Sequence, residues 1–188
     1  MDRMLPTGRV CGLTLIELMI ALVILSITVM ASAPSMRQLV HGNRLRTEAA
    51  RLASAINLAR SEAIFRNLPV SLCPSSMAVT GEAICAGTFS DGWIVFANVD
   101  RDHQIDTSSD EVIRAFAALP PGYTLTNRSG TRRASRTITY LPDGSSRSNR
   151  TLLVCAAGVP LSPWSVVLNM VGRARLVQGE GQCPVAPV

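Results

Sequence analysis

The sequence predicts an α+β protein, in which one long N-terminal helix precedes antiparallel β-strands that pack against it. Three observations lead to this fold class. Residues 13–33 form a continuous apolar run, residues 34–67 place apolar side chains at helical spacing, and the helical period disappears beyond Pro69. Past that proline, short runs rich in β-branched residues alternate with clusters of Gly, Pro, Asn, Asp and Ser, which is typical of antiparallel sheets.

The composition limits the class of protein. The chain has 188 residues, enough for one modest domain with an appendage. Apolar residues make up 47% of it and charged residues 16%, the opposite of the balance in disordered proteins. All 18 basic residues are arginines, against 13 acidic residues, so the formal net charge is +5. No internal repeat or low-complexity segment occurs, which excludes solenoid and collagen-like folds.

The N-terminal apolar run has the length of a membrane segment. As a helix, the 21 residues 13–33 would span ~31 Å, close to the hydrocarbon thickness of a bilayer. Glu17 is the one charge in this run, and it would cost roughly 2.5–3.5 kcal/mol at the bilayer centre, so a function is expected for it. The alternative is an ordinary secretory signal cleaved after Ala33. Both Glu17 and the proline at the next position, Pro34, argue against that alternative.

The residues at the start of the run carry a specific motif. Gly12-Leu13-Thr14-Leu15-Ile16-Glu17-Leu18 resembles the class III signal of type IV pilins and type II secretion pseudopilins. In that superfamily a short basic leader ends in Gly, the mature chain begins with an apolar residue, usually Phe, and Glu is its fifth residue. Counted from Leu13, Glu17 is the fifth residue and Pro34 the twenty-second, where pilins commonly carry a helix-kinking proline. Leu13 in place of Phe is a departure that the family tolerates.

The resemblance implies how the N-terminus is processed. Prepilin peptidase would remove residues 1–12 as a leader by cutting between Gly12 and Leu13, and would methylate the new amine of Leu13. Residues 13–33 would then anchor the chain in the inner membrane as a single-pass helix, and later lie in a filament core. The terminal amine, whose unperturbed pKa is ~8, would pair with the Glu17 carboxylate, which relieves the cost of a lone charge among apolar helices and sets the register of assembly.

Residues 34–67 are predicted to continue the helix, bent at Pro34, into a globular head. Apolar residues at alternating spacings of four and three define one face of this helix. They are Leu45, Ala49, Leu52, Ile56, Ala59 and Ala63. Asn67 followed by Pro69 supplies the stop signal. We expect the apolar face to pack against the β-sheets.

Residues 68–188 are predicted to form a β-rich head. Turn-forming residues separate its strands. The predicted strands are Val70–Cys73, Trp93–Ala97, Glu111–Ala117, Tyr123–Thr126, Thr137–Leu141, Leu152–Cys155, Trp164–Met170 and Arg173–Val177. A half-transmembrane helix that carries such a head corresponds to the lollipop arrangement implied by the resemblance to pilins.

Four cysteines remain once the leader, which contains Cys11, is removed. An even number in a chain destined for the periplasm favours disulfide bonds, and four cysteines allow three connectivities. We favour Cys73–Cys85 and Cys155–Cys183, because each pair flanks a local loop or hairpin. The 13-residue loop closed by the first bond should add ~3 kcal/mol of stability. A zinc site is disfavoured, since there is no CxxC pair and neither His41 nor His103 has ligand spacing.

The head resembles one branch of the superfamily, the GspH/FimT family of minor pilins and pseudopilins. The similar motifs follow one another along nearly the whole mature chain. They are Gly92–Phe96, the acidic turn Asn98–Asp106, Glu111–Arg114, Leu141–Gly144, the strand ending at Cys155, Val166–Asn169 and Gly172–Arg175. The resemblance implies a minor pilin of a type IV pilus, at or near the tip or in the assembly-priming complex. Its partners would be other pilins, prepilin peptidase and the inner-membrane assembly platform.

In some members of that family a Gly-Arg-x-Arg element is tied to DNA binding during natural transformation, which implies this role for Gly172, Arg173 and Arg175. On a strand the two arginines would project on one face, where each can bind a phosphate through paired donors. The charge distribution supports DNA binding independently, because residues 112–188 contain nine arginines and two acidic residues. Three arginines of the preceding loop would extend this basic face: Arg132, Arg133 and Arg136.

Other interpretations stay open at this point. The arginines could instead solubilise the head or contact neighbouring pilins, and the protein could be a type II secretion pseudopilin of GspH type. Four acidic residues suggest a calcium loop, but no Gly or bidentate Glu stands at the EF-hand positions, so we interpret them as solvated turn residues and expect neither metal nor cofactor. They are Asp100, Asp102, Asp106 and Asp110. We expect no enzymatic activity, because the sequence lacks a recognisable catalytic arrangement.

Overall fold

The computed structural model describes residues 14–102, 104–106, 108–146, 148–158 and 161–184. The chain divides into two compact units, Met1–Leu39 and Val40–Val188. Helix α1 has the bounds Leu15–Arg66, so its residues belong to both units. The helix ends where expected, because Asn67 follows it in the left-handed conformation, with φ of 53°, which asparagine adopts more readily than most residues.

Eight strands, one short helix and a 3₁₀ turn follow α1. They are β1 Val70–Pro74, α2 Met77–Thr80, the 3₁₀ turn Phe89–Asp91, β2 Trp93–Ala97, β3 Glu111–Phe116, β4 Tyr123–Asn127, β5 Ile138–Tyr140, β6 Arg150–Ala156, β7 Trp164–Leu168 and β8 Ala174–Gln178. All eight predicted strands are confirmed, with ends that differ by at most two residues. Helix α2 was not predicted, because a four-residue helix is too short to show an apolar period.

In the first unit, the described helix residues expose apolar side chains around the helix. Leu15 is 77% exposed, and Leu22 and Leu25 are each more than half exposed. Among the residues that the structure describes, no helix is both long enough and apolar enough to cross a bilayer. The predicted leader, 1–12, and the cleavage site between Gly12 and Leu13 lie outside the described residues.

The predicted membrane segment, 13–33, extends beyond the described residues at its start, and the structure does not describe the side chains of its last three residues. The same holds for the side chain of Pro34, although the residue lies within α1. The membrane segment and the bend at Pro34 therefore stay predictions.

The second unit contains two antiparallel sheets of four strands each. The first sheet has the strand order β3-β2-β1-β5 and the second has the order β4-β6-β7-β8. The strands β6, β7 and β8 are consecutive in sequence and adjacent in space, as short hairpin connections require. This hairpin arrangement places the last strand of the chain, β8, at one edge of the second sheet.

The helix face predicted from the sequence packs against both sheets. Its apolar residues, from Leu45 to Ala63, are at most 1% exposed and belong to one buried cluster. That cluster also contains Trp93 of the first sheet and Val154 of the second. The helix from residue 40 onwards thus provides the core onto which both sheets fold, and the expectation that the stripe packs against the sheets is confirmed.

Candidate nucleic-acid interface

The hairpin of β7 and β8 carries the Gly-Arg-x-Arg element. Leu168 pairs with Ala174 at the turn end of the hairpin. The N–H of Gly172 donates to the carbonyl of Asn169 at 2.9 Å and closes the turn. The side chain of Asn169 continues this closure, because its Oδ1 accepts from the N–H of Arg173 at 2.8 Å. Asn169 therefore holds both the turn and the first arginine of the element in place.

Gly172 has a packing role in this hairpin. Its φ of +82° lies in the left-handed region, and a Cβ added to it would overlap the carbonyl oxygen of Gly144 and lie 2.9 Å from Cε1 of Tyr140. The buried hydroxyl of Tyr140 donates to the carbonyl of Gly172 at 3.1 Å. Burial raises the pKa of Tyr140 to about 12, so this phenol remains a donor across the physiological pH range. Gly172 is itself buried, which leaves the two arginines as the exposed part of the element.

Arg173 and Arg175 are both exposed. Arg175 lies on β8 opposite Val167 of β7, which in turn lies opposite Thr151 of β6. Directly opposed residues of antiparallel strands point to the same face, so these three side chains share the face of the second sheet that is turned away from the helix. Arg173 precedes the strand, but its carbonyl accepts from the N–H of Asn169 at 3.2 Å, so the ladder continues to it.

A groove opens beside this face, and we call it the arginine groove. It has a volume of about 930 Å³ and lies between the β4–β5 connection, the start of β6 and the C-terminal segment. No Asp or Glu among the described residues lines it. Its lining contains five arginines: Arg128, Arg132, Arg133, Arg136 and Arg150. Three of them are the loop arginines that the sequence predicted to extend the basic face.

The β4–β5 connection is held to its neighbours by the backbone of Ala134, among other contacts. The N–H of Ala134 donates to the carbonyl of Leu125 at 2.9 Å, and its own carbonyl accepts from the N–H of Phe89 at 2.8 Å. Ala134 is 7% exposed, whereas the residues on either side of it are exposed. Arg133 and Arg136, which flank this buried residue in sequence, are exposed and line the groove.

Arg150 was not among the predicted site residues, and neither was Arg128. Arg150 is half-buried at the start of β6, and its Nη1 donates to the backbone carbonyl of Arg136 at 2.8 Å. Burial, together with the positive charge of Arg136, lowers the pKa of Arg150. The missing signal was strand register. Pairing of Asn127 with Leu152 brings the start of β6 beside the end of β4, and no local sequence pattern reveals that pairing.

The C-terminal segment forms one wall of the groove through Gly181 and Gln182. The N–H of Gln182 donates to the carbonyl of Arg128 at 3.1 Å, and a Cβ at Gly181 would lie 2.5 Å from Cδ2 of Leu153. The next residue is joined to β6 by the disulfide bond Cys155–Cys183. This bond, and the bond Cys73–Cys85 that ties the α2 segment to β1, join the pairs favoured from the sequence.

The acidic turn lies at the other sheet, after β2. The carboxylate oxygens of Asp100, Asp102 and Asp106 lie within 4.8 Å of one another, which is close enough to share a cation. Partial loss of solvent at Asp106, with the charges of Asp102, Asp100 and Asp110 around it, raises the pKa of its carboxyl. The side chain of Asp110 accepts from the backbone N–H groups of Val99 and Asp106. The three clustered carboxylates are exposed, and the carboxylates of Asp100, Asp102 and Asp110 accept hydrogen bonds from backbone N–H groups of the turn itself, so we assign them no metal-binding role.

Comparisons with known proteins give the following results. The family model described as type II transport protein GspH matches residues 48–172, and the model described as prokaryotic N-terminal methylation motif matches residues 8–33. No curated protein sequence matches the chain. Arg173 and Arg175 lie just beyond the first matched segment.

Two solved structures illustrate the similarity of fold. The type IV minor pilin FimU of Pseudomonas aeruginosa strain PAO1 is 17% identical, with a TM-score of 0.54 over 74% of this chain and 92% of FimU. The minor pseudopilin EpsH from the type 2 secretion system of Vibrio cholerae is 15% identical, with a TM-score of 0.50 over 72% of this chain and 97% of EpsH. At these identities the likeness shows the fold alone, and it confirms the predicted α+β pilin-like architecture.

Proposed function

The chain belongs to the GspH family of pilin-like proteins, and from this premise we propose that it is a minor pilin of a type IV pilus. It enters or primes the filament, lies at or near the tip, and binds DNA through its exposed arginines during natural transformation. The observation that carries the proposal is the occurrence, in one chain, of the N-terminal methylation motif at residues 8–33 and the GspH match at residues 48–172. The partners are other pilins, prepilin peptidase, the inner-membrane assembly platform and DNA.

The start of α1 supports a role for Glu17 in assembly. Glu17 lies in the first turn of the helix, and its N–H donates to Oγ1 of Thr14 at 3.3 Å. A carboxylate in the first turn is favoured by the partial positive charge of the helix N-terminus. The exposed apolar side chains that follow require an apolar surrounding, which a bilayer or neighbouring pilin helices would supply. In such a surrounding, Glu17 would need the terminal amine of Leu13 as its counter-charge.

The proposed route places the head in the periplasm. Its two disulfide bonds are the kind of feature that forms and persists in that oxidising compartment. Processing between Gly12 and Leu13 would occur on the cytoplasmic side, and the helix would stay in the inner membrane until the subunit enters the filament.

Mass spectrometry of the exported protein tests the filament-subunit proposal. We expect the first residue to be N-methylated Leu13, because cleavage after Gly12 is what the class III motif directs. Gly12→Val should block processing, and Gly8→Val serves as the control because it makes the same change within the leader but away from the cut. A mature chain that starts at Pro34 would instead identify an ordinary secreted protein and contradict the proposal.

A second candidate is a pseudopilin of the type II secretion system. The observation that favours it is the family model itself, which is described as a type II transport protein. The arginine groove beside the second sheet favours the pilus, because polyanion binding has a direct use in DNA uptake. Transformation and protein secretion measured side by side in a deletion strain would separate the two, since each candidate predicts the loss of one output.

DNA binding by the hairpin arginines is tested by titrating labelled duplex DNA with the full chain in detergent. For Arg173→Gln combined with Arg175→Gln, we expect weaker binding of DNA. The slope of log affinity against log salt should also flatten by about one for each arginine, because fewer counterions are released when the protein makes fewer phosphate contacts. The matched control is Arg101→Gln with Arg114→Gln, which removes the same charge from exposed sites near or on the first sheet. Equal affinities of the double variant and the control would remove the assignment.

A further inference from the structure

The arginine groove concentrates positive charge. Among the described lining residues there are five arginines and no acidic side chain. One of them, Arg150, is half-buried and held at the backbone of another by its hydrogen bond to the carbonyl of Arg136. Burial lowers the pKa of Arg150, and the nearby positive charge of Arg136 lowers it further, because like charges held close together repel. A bound anion would relieve this repulsion.

The shape of the groove favours an extended anion. With a volume of about 930 Å³, the groove is larger than a single phosphate needs, and one wall is fixed by the disulfide-linked C-terminal segment. Thr151 lines the groove, and the opposed row from Thr151 through Val167 leads to Arg175 on the same face. Strands lie ~4.8 Å apart, so this row is about 10 Å long, roughly the length of three phosphate-to-phosphate steps of ~3.4 Å along the axis of one nucleic-acid strand.

We infer that the arginine groove is a second phosphate-binding subsite, which holds a phosphodiester backbone whose neighbouring phosphates bind Arg173 and Arg175. The inference rests on the proposed DNA-binding function and specifies its ligand as one continuous strand that crosses the outer face of the second sheet. No aromatic side chain lines the groove in the described part of the chain, so recognition is of the backbone and independent of sequence.

The test uses the full chain in detergent and two probes, a labelled single-stranded oligothymidine and a labelled duplex. Arg132→Gln with Arg136→Gln removes two exposed groove arginines. We expect this variant to bind at least about tenfold more weakly at moderate salt and to have a slope of log affinity against log salt flattened by up to about two. Arg150→Gln is a separate variant, because its hydrogen bond to the loop also supports the fold. The control pair Arg101→Gln with Arg114→Gln should behave like the unchanged chain.

The outcomes separate this inference from the proposed function. If the groove variant binds like the control while the variant of Arg173 and Arg175 binds weakly, the groove is no subsite and the proposed function stands. If both variants bind like the control, both fail. Additive loss in the combined variant at a stoichiometry of one strand supports a continuous ligand, whereas two independent strands per chain overturn it. A loss with both probes supports recognition of the phosphate backbone alone, and a loss with one probe identifies that form as the ligand.

Discussion

Replacing Gly172 by alanine is expected to destabilise the second unit by ~2–5 kcal/mol and to weaken DNA binding at the same time. The left-handed φ of +82° costs an L-residue ~1–2 kcal/mol, and the added methyl must displace the backbone of Gly144, which adds ~1–3 kcal/mol of overpacking strain. Since Gly172 closes the turn before Arg173, a shift there also moves both exposed arginines of the element. Urea unfolding of the full chain in detergent, followed by tryptophan fluorescence, measures the loss of stability.

Gly179→Ala is the matched control for this change. Gly179 follows β8 with the same φ of +82°, but a Cβ there would meet no atom within 4 Å. Only the conformational cost applies, so we expect a loss of ~1–2 kcal/mol and unchanged DNA affinity. If the two variants lose the same stability, the contact of Gly172 with Gly144 has no energetic importance and its packing role is wrong.

Replacing Ile56 by alanine is expected to cost ~2–5 kcal/mol of unfolding free energy. The side chain of Ile56 is fully buried in the cluster that joins the helix to both sheets, and truncating it removes apolar burial and leaves a cavity. Residues of both sheets belong to the same buried cluster as this helix face. We therefore expect both sheets to lose stability in one cooperative transition. The midpoint of urea unfolding should fall without a change in slope.

Phe65→Ala is the control on the same helix, since Phe65 is 87% exposed. It should cost less than about 1 kcal/mol, because an exposed side chain loses little burial on truncation. Equal losses at the two positions would contradict the view that the buried stripe organises the core.

The helix also supports the hairpin that carries the arginines. Nη2 of Arg60 donates to the carbonyl of Val171 in the turn at 3.4 Å, and Ile64 lies against Gly144, on which Gly172 packs. The exposed arginines are therefore positioned by contacts that lead back to α1.

Several features of the site could be predicted from the sequence because they depend on neighbours along the chain. The apolar stripe from Leu45 to Ala63 follows from helical periodicity, and the eight strands follow from β-rich runs between turn residues. The pair Arg173 and Arg175 was singled out by its resemblance to the Gly-Arg-x-Arg element of the GspH/FimT family, and its spacing of two then predicted that both side chains lie on one face of a strand. Arg128 and Arg150 were missed because they join the site through contacts between distant segments.

The sequence by itself determined the class of protein, the order of its elements and the net arginine excess of its C-terminal half, since periodicity, motif spacing and charge are local properties of the chain. Only the tertiary structure decided which arginines share a groove, because strand register and a disulfide bond 28 residues apart in sequence bring β4, β6 and the C-terminal segment together. It also decided what Gly172 does. The sequence does not distinguish a glycine that is required because another backbone segment packs against it from a glycine that contacts a ligand. Here the atom that leaves no room for a Cβ at Gly172 is the carbonyl oxygen of Gly144, which lies in another loop.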